Sequence, residues 1–171
     1  MIVAGFDPGS RRFGVALLLE RQGTIRMLHC ETISLKQMDF LERMQAMWHN
    51  LNEILERFRP DEAALEEGFL GANARSQNVL AQVRGVVMAA MIHHQVPLSL
   101  YSPRTVKQAV TGSGNAGKDQ VQRMMGRLLC LESGAFKEDE SDAMAVAYCH
   151  LLSRPRGVMK SARTTEKRRR K

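Results

Sequence analysis

The sequence predicts an α/β fold in which a mixed five-stranded sheet, a three-strand antiparallel meander followed by parallel strands, is flanked by helices. Short apolar runs broken by turn residues occupy the first 34 positions, and helix-period segments alternate with short apolar runs after them. At 171 residues the chain is long enough for one domain with a substantial core and too short for two full lobes.

The first strand is Ile2 to Asp7, ended by Asp-Pro-Gly-Ser, whose Pro8 and Gly9 enforce a tight turn. Residues 13–20 and 25–34 read as two further strands joined by a hairpin at Gln22-Gly23. Phe40, Leu41, Met44, Met47, Trp48, Leu51, Ile54, Leu55 and Phe58 step by threes and fours along an amphipathic helix that Arg59-Pro60 ends. Ala63-Ala64-Leu65 is a short buried strand that delivers Glu66 and Glu67 at its C-terminal end.

After a loop from residue 68 to 72, Asn73 or Ser76 caps a helix carrying Val79, Val83, Val86, Val87, Ala90 and Met91. Its apolar and small residues wrap widely around it, which fits a helix covered on more than one side, with a second copy of the chain as one cover. Residues 96–101 form a fifth strand, Ser102 starts a short helix through Lys107 and Val110, and Gly112, Gly114 and Gly117 loosen the next stretch. Residues 118–129 and 142–152 are the last two helices.

Two units follow: a folded domain over residues 1–152 and a basic tail over 153–171, expected to be disordered when free. The tail holds nine Lys or Arg against Glu166 alone, so of the overall charge of +7 the first 152 residues carry about −1. A nucleic-acid surface on the folded part must therefore arise by local segregation of charge. Cys30, Cys130 and Cys149 sit among apolar neighbours without disulfide or metal spacing, as expected of buried thiols in a reducing compartment. With no signal-peptide pattern and no bilayer-length apolar run, the expected location is cytoplasmic, away from any membrane.

Asp7, Glu66, Asp139 and Asp142 each adjoin an apolar segment. Such elements tolerate ionised carboxylates when a hard divalent cation replaces the lost hydration, so the chain reads as a metal-dependent enzyme. In phosphodiester hydrolysis the attacking water and the leaving alkoxide need opposite help, which two metal ions roughly 3.5–4 Å apart provide. Four carboxylates suit two Mg²⁺, or Mn²⁺, while leaving room for waters and phosphate oxygens. Asp139 and Asp142, three apart, share one side of the last helix if it begins near Lys137. Taken singly, each has an ordinary explanation: Asp-Pro-Gly is a good turn, a strand can end in solvated Glu, and acidic residues favour helix starts.

In combination, G-F-D-P-G-S (residues 5–10), L-E-E-G-F (65–69) and E-S-D-A-M-A-V-A (140–147) resemble the RuvC family of Holliday junction resolvases in order and spacing, from Ile2 to about Leu152. The resemblance implies a ribonuclease H-like fold, a homodimer, and Mg²⁺-dependent cutting of two opposed strands at a four-way DNA junction, with Asp7, Glu66, Asp139 and Asp142 as metal ligands. It favours Glu66 over Glu67, which the residues alone leave open, and it gives Phe69 the role of an aromatic wedge between junction bases. Lys107 and Lys118 match positions where the family keeps basic residues for DNA. Arg75, Arg84, Arg104, Arg123 and Arg127 lie in the same half of the chain and Arg11 and Arg12 follow the first strand, all able to neutralise phosphates beside the acidic pocket. The partners implied are four-way junction DNA and a second copy of the chain, with room for a branch-migration motor complex.

Residues 112–118 look superficially like a phosphate-binding loop, but Asp119 follows Lys118 where that motif needs Ser or Thr. His93 and His94 read as helix-end residues without a ligand role. A related nuclease acting on structured RNA such as ribosomal RNA precursors is the nearest rival. An actin-like ATPase would need a second lobe, and a non-catalytic junction binder would make all four acidic residues dispensable. The terminal Lys-Arg-Arg-Arg-Lys adds salt-sensitive affinity for DNA backbone or serves as a solubility tail.

Overall fold

The computed structural model describes residues 1–9, 11–67, 74–132 and 134–154, with the side chains of residues 74–76 excepted. In chain order the elements are β1 (Ile2–Asp7), β2 (Arg12–Arg21), β3 (Thr24–Ser34), α1 (Phe40–Phe58), β4 (Glu62–Glu66), α2 (Ala74–His93), β5 (Leu98–Tyr101), α3 (Pro103–Thr111), α4 (Lys118–Leu128) and α5 (Glu138–Ser153). The strands form one sheet in the order β3-β2-β1-β4-β5. β1, β2 and β3 pair antiparallel, and β4 and β5 join parallel to β1, as the sequence predicts.

The β2–β3 hairpin turns on Gln22 (φ 53°) and Gly23 (φ 79°), both left-handed as a two-residue turn matching strand twist requires. Asp39 and Glu42 close a reciprocal capping box at the start of α1, and Arg59 ends that helix in the left-handed region just before Pro60.

Strand alternation divides the core between the two faces of the sheet. Ala4, Phe6, Phe13, Leu17, Ala63 and Leu65 pack with Met47, Leu51 and Leu55 of α1 and Val83, Val87, Ala90 and Met91 of α2. Val3, Ala16, Leu18 and Ala64 pack on the opposite face with Ala143, Met144, Val146 and Ala147 of α5, over which α3 and α4 contribute Val106, Val110, Val121 and Met125. α5 lies almost on the backbone of β1: a β-carbon added to Gly5 would fall 2.2 Å from the Ala143 carbonyl oxygen. That close approach positions the helix that carries Asp139 and Asp142, two of the four candidate site carboxylates.

Two expectations need correction. α5 begins at Glu138, four residues before the expected 142, because the Lys137 backbone N–H donates to the Glu140 carboxylate at 2.8 Å and closes the first turn. Cys130 is exposed, since it occupies a left-handed turn after α4 (φ 53°) where apolar neighbours in sequence do not enclose it. On α2, Val83, Val87, Ala90 and Met91 are buried within the chain, whereas Gly85, Ala89 and Ile92 on another face stay exposed. The expected wedge Phe69, the expected cap Asn73 and tail residues 155–171 lie outside the described residues, as do the side chains of Arg75 and of the alternative cap Ser76.

Candidate active site

β1 and β4 are parallel neighbours in a register that pairs Phe6 with Leu65, so their next residues, Asp7 and Glu66, emerge side by side from the C-terminal ends of the two strands. α5 starts over the same end: the Asp139 carbonyl is pressed against Gly14 of β2, which Asp7 pairs across the sheet. Asp139 and Asp142 occupy the beginning of that helix on successive turns. Three elements distant in sequence thus bring Asp7, Glu66, Asp139 and Asp142 together, each partly shielded and none fully enclosed.

The electrostatics record this convergence. Burial, then the charges of Asp142, Glu66 and Asp139, push the Asp7 carboxyl up to about 7. Glu66 is likewise pushed up to about 7, first by burial and then by Asp142, with Lys107 and Lys118 opposing. Burial also raises Asp142, against the pull of Lys118. Glu67, by contrast, is exposed, and its backbone N–H donates to the Tyr101 carbonyl at 2.7 Å. The structure therefore distinguishes the two glutamates, and Glu66 is the one facing the other carboxylates.

Two cations stand against the converging α5 carboxylates Asp139 and Asp142. Lys118 Nζ, at the start of α4, lies 2.5 Å from Glu138 Oε1 and 3.6 Å from Asp142 Oδ2. Arg12 Nη1, at the start of β2, lies 3.7 Å from Asp139 Oδ2. Among the described residues, no group of three or more His, Cys, Asp or Glu side chains is drawn together tightly enough to hold one ion. The donor set nevertheless fits a hard metal: every converging side chain offers carboxylate oxygen, and Asp139 Oδ2 is buried without a hydrogen bond.

The remaining acids of the α5 start are structural or peripheral. Glu140 is buried and accepts from Thr32 Oγ1 at 3.1 Å, while Glu138 is exposed and engages Lys118. The contact of Lys118 with Glu138, like that of Arg12 with Asp139, has no signature in sequence spacing. Arg104 on α3 is exposed and packs its stem over Gly114. Arg123 and Arg127, on the exposed side of α4, line a hollow of ≈ 300 Å³ with Thr111, Gln120 and Met124. His94 Nε2 bonds Asn52 Oδ1 at 2.6 Å and His93 packs against Trp48, which places both at a helix end and not at the acidic pocket.

The family model described as crossover junction endodeoxyribonuclease RuvC matches residues 3–150. The enzyme of that name from Chlorobaculum parvum is 42% identical over 152 residues, covering 88% of this chain and 81% of the relative. Its namesake from Citrifermentans bemidjiense is 41% identical over 156 residues, covering 90% of this chain and 93% of the relative. Among solved structures, Thermus thermophilus RuvC in complex with a Holliday junction substrate superposes with a TM-score of 0.82 at 32% identity, over 88% of this chain and 93% of that one.

Proposed function

The chain belongs to the RuvC family of crossover junction endodeoxyribonucleases, and we propose that it resolves Holliday junctions by metal-assisted hydrolysis in which Asp7, Glu66, Asp139 and Asp142 hold the metal. The fold is ribonuclease H-like and the substrate is four-way junction DNA, met in recombination and repair. One observation carries the assignment of residues: carboxylates from β1, β4 and α5 converge at one end of the sheet, where burial first and neighbouring carboxylate charge second push Asp7 and Glu66 up to about 7.

Bound there, two Mg²⁺ or Mn²⁺ ions would activate the attacking water and stabilise the leaving oxygen of the scissile phosphodiester. The protein's own part is to supply oxygens from rigid elements, two from strand ends and two from one helix start, so that their relative positions are fixed before substrate arrives. Because Asp7 and Glu66 titrate near neutrality, loading the site releases protons and favours mildly alkaline conditions. Lys107 and Lys118 border the pocket and offset the repulsion between its carboxylates and a DNA backbone.

Arg104 and Arg123 extend this basic border along α3 and α4, and Arg75 is assigned to DNA with them. Phe69, five positions before the start of α2, wedges the open centre of the junction. Two opposed nicks need two matched centres, so the working unit is a homodimer. Its action on chromosomal DNA sets a cytoplasmic place of work. None of the described helices is long and apolar enough to cross a membrane.

Incubating the full chain with a synthetic four-way DNA junction, a linear duplex of the same sequence and a structured RNA, each with and without Mg²⁺, tests the reading. Paired, metal-dependent cuts in the junction alone are expected. Cutting by Asp7→Asn in Mg²⁺, or preferential cutting of the RNA, would refute it.

A further inference from the structure

We infer that Arg12 is an exchangeable counterion shared between Asp139 and the junction's phosphates, so that divalent cation and DNA each promote the other's binding. The inference rests on the proposed metal-binding role of the carboxylates, and it assigns a task to a residue that this role does not itself require.

The two cations beside α5 are held very differently. Lys118 is anchored by Glu138 at 2.5 Å and reaches Asp142 at 3.6 Å, so it has a resident partner whatever happens at Asp142. Arg12 faces Asp139 Oδ2 at 3.7 Å, beyond hydrogen-bond distance, with 56% of its side chain exposed and no other carboxylate within ion-pair reach among the described residues. A pair whose cation is largely exposed and which lacks a hydrogen bond is easily exchanged. The acceptor oxygen is itself buried and unbonded, which makes it a better ligand for a small cation than for a guanidinium held at that distance.

Gly14, two residues from Arg12, is packed against the Asp139 carbonyl, so the backbones of β2 and the start of α5 are in direct contact beside the pair. A cation that takes Asp139 frees the Arg12 side chain to swing outward. There the fork of guanidinium donors matches the oxygens of a phosphate. Junction phosphates that capture Arg12 conversely strip Asp139 of its counterion. By linkage the two effects are equal in size: if DNA tightens cation binding by some factor, the cation tightens DNA binding by the same factor.

Calorimetric titration of the full chain with Ca²⁺, free and bound to a four-way junction shown by gel to remain uncut, measures the coupling directly. The wild-type chain should bind Ca²⁺ more tightly when the junction is present. Arg12→Gln should raise the affinity of the free chain for Ca²⁺ about 5-fold and shrink the junction-induced gain by a similar factor, while Arg12→Lys, which keeps the charge, should preserve most of the coupling. If Arg12→Gln weakens junction binding but leaves both the Ca²⁺ affinity of the free chain and the coupling at wild-type values, Arg12 is an ordinary phosphate contact and the inference is overturned. If the wild-type chain takes up no Ca²⁺, or Asp139→Asn takes it up equally well, the metal-binding reading fails and the inference falls with it.

Discussion

Gly14 approaches Asp139 so closely that a β-carbon on the glycine would lie 2.1 Å from the Asp139 carbonyl oxygen. The neighbour is backbone, so a larger residue must push the start of α5 away from β2. Gly14→Ala is expected to destabilise the fold by ~1–3 kcal/mol, the usual cost of overpacking. It should lower junction cleavage by about 10²-fold, because a shift near 1 Å misplaces Asp139 and Asp142 together. Denaturant unfolding and single-turnover cleavage separate the two effects. Loss of stability with full cleavage by the folded fraction would show that the contact does not position the site.

Glu66 and Glu67 are adjacent in sequence and unequal in space. Glu66 shares the pocket with Asp142, whereas Glu67 is exposed. Glu66→Gln should reduce cleavage by at least ~10²-fold, more than is lost when a residue merely supporting a ligand is removed. Glu67→Gln should stay within about 3-fold of wild type, as expected for a solvated surface side chain. Equal losses in the two variants would reassign the ligand.

With Asp7 and Glu66 both raised to about 7, their titration affects stability and activity in opposite directions. Between about pH 4 and 7 the folded chain holds protons at these positions that the unfolded chain has released, so stability is greatest below the ordinary carboxylate range and declines as pH rises through 7. Cleavage follows the opposite course, since protonated carboxyls are poor ligands, and kcat/KM should fall on acidification below 7 with the midpoint moving lower as Mg²⁺ is increased. Asp7→Asn removes the repulsion permanently. At pH 8 without metal its Tm should exceed that of wild type by roughly 4–8 °C, corresponding to about 2 kcal/mol, while its cleavage is lost. Thermal melts with and without Mg²⁺ check both signs, and a lower Tm for the variant in metal-free buffer contradicts the account.

The strand ends that carry Asp7 and Glu66 were legible because local rules decide them, whereas the start of α5 lies four residues before the expected one. Asp-Pro-Gly ends β1, a two-residue hairpin joins β2 to β3, and Pro60 follows the end of α1 at the expected place. That Asp7 and Glu66 are neighbours could be argued from parallel strand pairing. The counterions could not, because Lys118 meets Glu138 and Arg12 meets Asp139 through the packing of α4 and β2 around α5, and no periodicity records such a contact. Glu140 was equally opaque: it stands within the same acidic run as Asp139 and Asp142, yet it points to Thr32 and serves the helix start.

The α2 surface carries the next expectation. Gly85, Ala89 and Ile92 recur at helical spacing on its exposed side, and Ile92 is 78% exposed beside an apolar hollow shared with Met88, Val96 and Leu100. A large apolar residue on a face of small ones suits close packing against the same face of a second copy. Ile92→Glu should weaken self-association by about 10²-fold, given the ~1.5–3 kcal/mol gained on burying such a side chain and the added cost of burying a charge. Sedimentation of the two proteins measures this, and unpaired nicks should replace paired cuts on the junction. An unchanged dimer would move the interface to another face.

The C-terminal segment over residues 155–171 contains eight Lys or Arg against Glu166, although the folded chain before it is close to neutral. Charge of that density binds DNA backbone without reading sequence, and each phosphate it neutralises adds about 0.9 to the steepness with which log affinity falls against log salt. A chain ending at Arg154 should therefore bind the junction less tightly at low salt and show a slope shallower by roughly 3, if three or four phosphates are lost. Its cleavage at saturating junction should be nearly unchanged, because none of the four carboxylates lies in the removed segment. Competition by linear duplex distinguishes a general DNA tether from a junction-specific element: truncation should weaken both substrates alike and so leave the preference for the junction intact or increased. A salt slope identical to that of the full chain would instead make the segment a solubility tail with no part in binding.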